Sequence, residues 1–361
     1  MTDSATPAPR FASALRPLLR AIATADGDGL RRAADSARAL EHADAGAAPA
    51  ETVTRLISAL SDALTRRAIA LAMATAPAAL RARRWCWIAL GSEGRQEQTL
   101  VSDQDNGIIF EDGTDPDVVR AQLLPLALTI NQTLADCGFP LCVGNIMASN
   151  PACCLSLHEW RARFSTWIDE GEPQALLNAS IFFDLRPLAG DMQLGQELSC
   201  WTARQASDNP RFLFQMADNA LRRRPPLRLL HGFAPEKAGP HAGAIDLKQN
   251  AATLYVDAAR VFGLGCGTAV TNTAARLRLA ASARLLDRDE VEEWISCFHL
   301  IGTLRLRVQQ DSYLQGVPMH NHVCPDQLDA AARRTLLRAL RQAGVLQQQL
   351  SIRFLNGGQG M

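Results

Sequence analysis

The chain has 361 residues, long enough for two or three units that each bury a core of their own. Hydrophobic residues make up 47% and charged residues 20%, the mix of a globular protein, and 37 basic residues cancel 37 acidic ones. That neutrality removes the long-range charge on which binding along nucleic acid depends, so nucleic acid is not an expected partner.

The amino terminus, MTDSATPAPRF, lacks the basic start and apolar run of a signal peptide. No stretch of about twenty apolar residues follows, so no membrane span is expected and a cytoplasmic location is. Up to about Leu80 the pattern is helical, with Phe11, Leu15, Leu18, Leu19 and Ile22 in one stripe and Val53, Leu56, Ile57, Leu60, Leu64 and Leu71 in another. The polar segment EHADAGAAPAE between them reads as a loop.

The texture changes at Arg84. WCWIAL reads as a buried strand stopped by Gly91, and Gln104 to Phe110, Pro140 to Ile146 and Ser180 to Leu185 read as further strands. Helices are expected from Pro116 to about Ala135 and from Leu155 to Ile168. Alternating strands and helices imply a unit with a small central sheet. After Gly190 the strands fade. Leu194 to Arg224 is largely helical, and four more helices are expected around 247–262, 273–286, 288–310 and 329–353, with Val291, Trp294, Ile295, Phe298 and Ile301 on one face. The expected division is 1–80, an amino-terminal helical segment; 81–192, the sheet-containing domain; and 193–361, a helical bundle.

The chemistry concentrates in GSEGRQEQTLVSDQDNGIIF, residues 91 to 110. Gly91 lets a phosphate approach the backbone, and the Ser92 hydroxyl and nearby N–H groups can donate to it. Period two in an extended segment puts Asp103 and Asp105 on one face. Two adjacent carboxylates resist joint ionisation unless a cation removes the repulsion, and oxygen ligands suit Mg²⁺. Asp-x-Asp pairs also mark solvated loops and helix caps, but here the pair runs directly into the apolar Gly107-Ile108-Ile109-Phe110. The nine cysteines, among them Cys137, Cys142, Cys153, Cys154 and Cys266, include no CxxC pair and read as buried thiols. No zinc tetrad assembles from them.

A strand, Gly-Ser, then ten residues and Asp-x-Asp resembles the DNA polymerase β-like nucleotidyltransferase superfamily. The fuller segment is similar to a bacterial nucleotidyltransferase family often found behind cyclic-nucleotide-binding and CBS domains, related to the amino-terminal domain of the PII-protein uridylyltransferase. The likeness continues through CGFPLCVGNIMASNP (137–151), SLHEWRARFSTWI (156–168), SIFFDLRPLAGD (180–191), IDLKQNAATLYVDAAR (245–260) and LRLRVQQ (304–310). It implies an α+β fold in which a small mixed-sheet, polymerase β-like domain is flanked by helices, with a substrate-binding role for the carboxy-terminal helices. It also implies a third carboxylate, matched by Asp184. Asp103, Asp105 and Asp184 would then be catalytic and metal-binding. Gly91, Ser92, Arg95 and Lys248 would contact the nucleotide, ATP or UTP, with Mg²⁺ or Mn²⁺ as the ion. An acceptor hydroxyl on a protein or small molecule would attack the α-phosphate and release pyrophosphate.

Other readings of these residues stay open. Asp184 could pair with Arg186 or cap a turn, Asp191 suits an N-cap, Lys248 could be a solvated helix lysine, and His322 lacks a partner for a triad. The triple arginine at 222–224 reads as a solvated helix end. The stretch before the sheet is too short for the usual sensing modules, no His-Asp dipeptide of a phosphohydrolase occurs, and Cys153 stands where the family leads one to expect tryptophan. The acceptor is unknown, and the helical stripes would suit a homodimer. The competing functions are a nucleotide-binding signalling module without turnover and a helical scaffold acting through a protein partner.

Overall fold

This computed structural model describes residues 8–45, 48–113, 115–171, 176, 180–228 and 232–355. They fall into two compact units, Met1–Trp160 with Arg186–Gln196, and Arg161–Leu185 with Glu197–Met361.

In the first unit, helices α1 (Ala8–Thr24), α2 (Gly27–Asp44) and α3 (Ala50–Thr75) precede the sheet. Asp26 caps α2 by accepting the Gly29 N–H at 2.7 Å. The stripe in α3 is buried through Val53, Leu56, Ile57, Leu60 and Leu64. Of the segment read as a loop at 41–51, residues 41–44 continue α2 and 50–51 open α3, so the connection is shorter than expected; residues 46–47 lie outside the described residues.

Helix α4 (Ala78–Arg81), β1 (Trp85–Ala89), the single turn α5 (Gly91–Gly94), β2 (Asn106–Phe110), α6 (Pro116–Asp136), β3 (Cys154–Ser156) and β4 (Arg186–Gly190) complete that unit. The strand order is β3-β2-β1-β4. β1 pairs antiparallel with β2 and β4, and β3 runs parallel to β2. Every residue of β1 and β2 is buried, the polar Asn106 included. Asp115 caps α6 and Pro116 occupies its first turn, which turns Val119, Leu123, Leu126, Ile130 and Leu134 inward. The Trp160 indole N–H donates to the Ile108 carbonyl at 2.9 Å and so fixes the chain after β3 onto the sheet.

Two expected strands are not strands. Pro140–Ile146 is a loop, because a turn closes from the Asn145 N–H to the Cys142 carbonyl at 2.9 Å with Asn145 at φ 55°. Ser180–Asp184 is a 3₁₀ turn, and the strand begins only at Arg186. There Phe183 packs against Phe164 and Phe212, and Phe182 packs against Trp167. Consecutive aromatics both turned inward contradict the alternation of a half-buried strand.

Helices α7 (Leu157–Asp169) and α8 (Met192–Ser207) contribute residues to both units. In the second unit, α9 (Pro210–Arg222), α10 (Thr253–Gly265), α11 (Thr273–Ser282), α12 (Arg288–Leu314) and α13 (Ala330–Phe354) form the bundle. A π-turn over Lys248–Ala252 leads into α10. α10 is apolar nearly all round and is correspondingly its core helix, with the Tyr255 hydroxyl donating to the Ala339 carbonyl at 2.6 Å. Two short antiparallel strands, β5 (Ile245–Asp246) and β6 (His322–Val323), lie outside the bundle helices. Among the described residues, no helix is long and apolar enough to cross a membrane.

Candidate active site

The register of the sheet builds the site. Ala89 pairs with Asn106 in the β1–β2 ladder, and the Leu90 N–H donates to the Asp105 carbonyl at 2.8 Å as one further rung. The turn leaving β1 and the acids entering β2 therefore meet at the same end of the sheet. Gly91 makes that turn at φ 53°, the left-handed region where a side chain is disfavoured. It starts the single helical turn Gly91–Gly94, whose first N–H groups have no acceptor within the helix. The Ser92 side chain is half-buried beside them.

Alternation along Asp103-Gln104-Asp105-Asn106 then sorts the side chains. Gln104 donates to the carbonyls of Asn131 (3.0 Å) and Phe139 (2.9 Å). The Asn131 amide donates to Gln104 Oε1 at 2.8 Å and to Asn106 Oδ1 at 3.0 Å. Asn106 Oδ1 also accepts the Ala148 N–H at 2.8 Å, and Asn131 Oδ1 accepts the Ser149 N–H at 3.1 Å. With Gln104 and Asn106 clamped to α6, Asp103 and Asp105 are held together on the opposite side. These amides are positioning residues that the sequence reading missed. Their signal was present in the uninterrupted polar run DQDN at a buried strand entry.

A third group joins the acids. One carboxylate oxygen each of Asp103 and Asp105 and the Cys142 Sγ lie within 4.8 Å of one another. Among the described residues this is the one such convergence of three metal-ligating side chains. Asp105 is buried, and Asp103 and Cys142 are half-buried. Burial pushes the Cys142 thiol pKa up, and the neighbouring Asp105 and Asp103 charges push it further, against the Ile146 N–H that donates to the sulfur. Two carboxylates and a thiol converging beside the Gly91–Ser92 turn fit a divalent cation.

Behind the turn lies a buried charge network. Arg186 makes a bidentate pair with Asp62, at 2.9 and 2.7 Å, and donates to the Glu93 carbonyl at 3.1 Å. Gln98 donates to the Ser61 hydroxyl at 3.3 Å alongside. The Glu93 carboxyl is pushed up to about 8, first by burial and then by Asp62, with Arg186 opposing and Asp105 adding to the rise. The main chain of Asp105 opposes that rise. Arg186 thus serves Asp62 and the turn, and the alternative pairing of Asp184 with Arg186 does not occur.

The remaining residues singled out from the sequence have other settings. Arg95 Nε pairs with Glu97 at 2.8 Å, both side chains nearly buried. Lys248 belongs to the second unit, where its side chain is exposed and its N–H is capped by Asp246 at 2.8 Å. Asp184 requires a correction. It is fully buried in the second unit, where Arg260 grips both of its oxygens at 3.1 and 2.7 Å and Arg276 donates to Oδ1 at 2.5 Å. Carboxylate oxygens enclosed by two guanidiniums are not free to hold an ion. The strand beside β2 carries Cys154, Leu155 and Ser156 and supplies no acid in its place. Asp191 accepts the Gln193 N–H at 3.0 Å at the start of α8 and pairs with Arg84. His322 stacks on His241 with centroids 3.6 Å apart. Arg222 is an exposed helix end paired with Asp218. All nine cysteines are free thiols.

With this geometry in place, the family comparison is decisive. The model described as "Putative nucleotidyltransferase DUF294" matches residues 34–174, and that described as "Putative nucleotidyltransferase substrate binding domain" matches residues 210–354. The chain belongs to this nucleotidyltransferase family. The nucleotidyltransferase match contains the Gly-Ser turn, both acids and Cys142, and the substrate-binding match contains Lys248, Arg260 and Arg276. The family implies a nucleoside triphosphate as substrate and a divalent metal at the site. No curated protein matches the chain.

Proposed function

We propose that the chain moves AMP or UMP from a nucleoside triphosphate to a hydroxyl of a protein or small molecule, releasing pyrophosphate. The observation that carries this reading is the convergence of the Asp103 and Asp105 carboxylates at the sheet end where the Gly91–Ser92 turn opens. Gly91 and Ser92 would receive the phosphates through main-chain N–H groups and the serine hydroxyl. Asp103 and Asp105 would hold Mg²⁺, or Mn²⁺ in its place. The ion supplies charge neutralisation for the phosphates and activation of the acceptor hydroxyl. Arg95, which follows the Gly91–Ser92 turn, would reach the triphosphate by exchanging its Glu97 partner for a phosphate. Lys248 is assigned a contact to nucleotide or acceptor from the substrate-binding part of the chain.

In this reading Asp184 is not a ligand. Its part is to join the 3₁₀ turn at Ser180–Asp184 to α10 and α11 through Arg260 and Arg276. That same engagement favours the second reading, a module that binds nucleotide and signals without turnover, because it removes one of three expected catalytic acids. Incubation with α-phosphate-labelled ATP and UTP, Mg²⁺ and cell extract separates the two. Transfer of label to a macromolecule or metabolite with equal pyrophosphate release supports the transferase. Saturable binding with no pyrophosphate supports the module.

A further inference from the structure

Cys142 is the one side chain of the convergence to which nucleotidyl transfer assigns no task. Its position is built. The Gln104 N–H donates to the Pro140 carbonyl at 3.0 Å and the Asn106 N–H to the Ile146 carbonyl at 3.1 Å, so the loop is pinned on either side of Asp105. The turn from Cys142 to Asn145 is held in turn by the Asn150 amide, which donates to the Asn145 carbonyl at 2.7 Å. The sulfur lies within 4.8 Å of a carboxylate oxygen of each of the two acids.

We propose that Asp103, Asp105 and Cys142 together bind a borderline-soft divalent cation of the Zn²⁺ class, with Cys142 as a thiolate ligand. The inference rests on the reading of the acid pair as a metal site and deepens it by naming a regulating ion. Two carboxylates alone select a hard ion such as Mg²⁺, which bonds at about 2.0–2.1 Å and keeps several waters. A thiolate moves the preference to Zn²⁺, Co²⁺ or Cd²⁺, with Zn–S bonds of about 2.3 Å. When the bond to the ion forms, the Sγ–H bond breaks, the sulfur electron pair goes to the ion and the proton to solvent. Nothing is oxidised or reduced. An ion held by all three donors occupies the position that Mg²⁺ needs, so the soft ion acts as a competitive brake on the hard one. Among the described residues, the histidines of the second unit bring no three ligand atoms together. His241 and His322 stack face to face, which turns their ring faces rather than their nitrogens toward one another.

The test uses the full chain, stripped of metal and titrated with Co²⁺, while near-ultraviolet thiolate-to-metal charge transfer is recorded. Saturable absorption that is lost in both Cys142→Ser and Cys142→Ala, and lost in Asp103→Asn/Asp105→Asn, is expected. Cd²⁺ competition should show the serine variant weakened by on the order of 10–100-fold, the loss that removal of even an outer partner of a metal produces. Its Cd²⁺-over-Mg²⁺ selectivity should fall in parallel. No charge transfer in the unsubstituted chain, or an unchanged band in folded Cys142→Ser and Cys142→Ala, overturns the proposal. The parent reading fails separately. If the unsubstituted chain gives the band but no nucleoside triphosphate stabilises it with Mg²⁺, the three-donor site stands and the nucleotide assignment falls.

Discussion

The main-chain N–H of Leu90 donates to the carbonyl of Asp105 at 2.8 Å. This single rung beyond the β1–β2 ladder joins the Gly91–Ser92 turn to the acid pair. It makes their relative position a property of sheet register rather than of loop conformation. A one-residue slip would turn both acids to the side now held by Gln104 and Asn106.

The turn depends on a backbone conformation that disfavours a side chain. Gly91→Ala, at φ 53°, should lower stability by about 1–2 kcal/mol. It should also weaken nucleotide binding by crowding the N–H groups. Chemical denaturation and a nucleotide titration measure the two effects. Unchanged stability would show that the turn relaxes without cost.

The buried Glu93 carboxyl sets a pH dependence. Its folded-state pKa of about 8 lies above its ordinary value of 4.5, and Glu41, buried in α2, is likewise raised to about 7. A carboxyl raised in the folded state contributes most below the unfolded pKa, where both states hold the proton. The contribution declines as pH rises toward the folded value, because the unfolded state ionises first. Stability of the metal-free protein should therefore fall from about pH 4.5 toward 8, and the part between 7 and 8 belongs to Glu93. Denaturation of Glu93→Gln across this range should show that upper decline removed, while Glu41→Gln should leave it. An identical upper decline in Glu93→Gln would contradict the assignment.

Asp184→Asn removes the carboxylate that Arg260 and Arg276 share and leaves Arg260 with Asp257. The expected loss is about 3–5 kcal/mol, typical of breaking a buried ion pair from one side. Metal affinity at Asp103 and Asp105, measured below the lowered unfolding temperature, should change little. A stable variant with abolished metal binding would restore Asp184 as a ligand.

The sequence disclosed the sheet entry because WCWIAL and GIIF are unbroken apolar runs, which leave few alternatives to a buried strand. The helices of the bundle were equally plain from their stripes, as at Val291, Trp294 and Ile295, all buried. The acid pair was legible because alternation acts within four residues. Cys142 as a partner was not, since it depends on a loop that looked like a strand until Asn145 turned it. Arg186 meets Asp62 across 124 positions, and Arg276 meets Asp184 across 92. Ionic partners at such separations leave no local pattern. The same distance hid the true surroundings of Asp184, whose place after two phenylalanines resembled the end of a strand.

Asp103, Asp105 and the Gly91–Ser92 turn are proposed to hold a metal-bound nucleoside triphosphate. Thermal unfolding with each of the four nucleoside triphosphates, with and without Mg²⁺, tests that proposal most directly when set beside Asp103→Asn/Asp105→Asn. A ligand at about 100 times its dissociation constant adds about 2.7 kcal/mol, enough for a clear rise in transition temperature. The account predicts a Mg²⁺-dependent rise with at least one triphosphate that disappears in the folded double variant. No rise with any triphosphate, or the same rise in the variant, would contradict it.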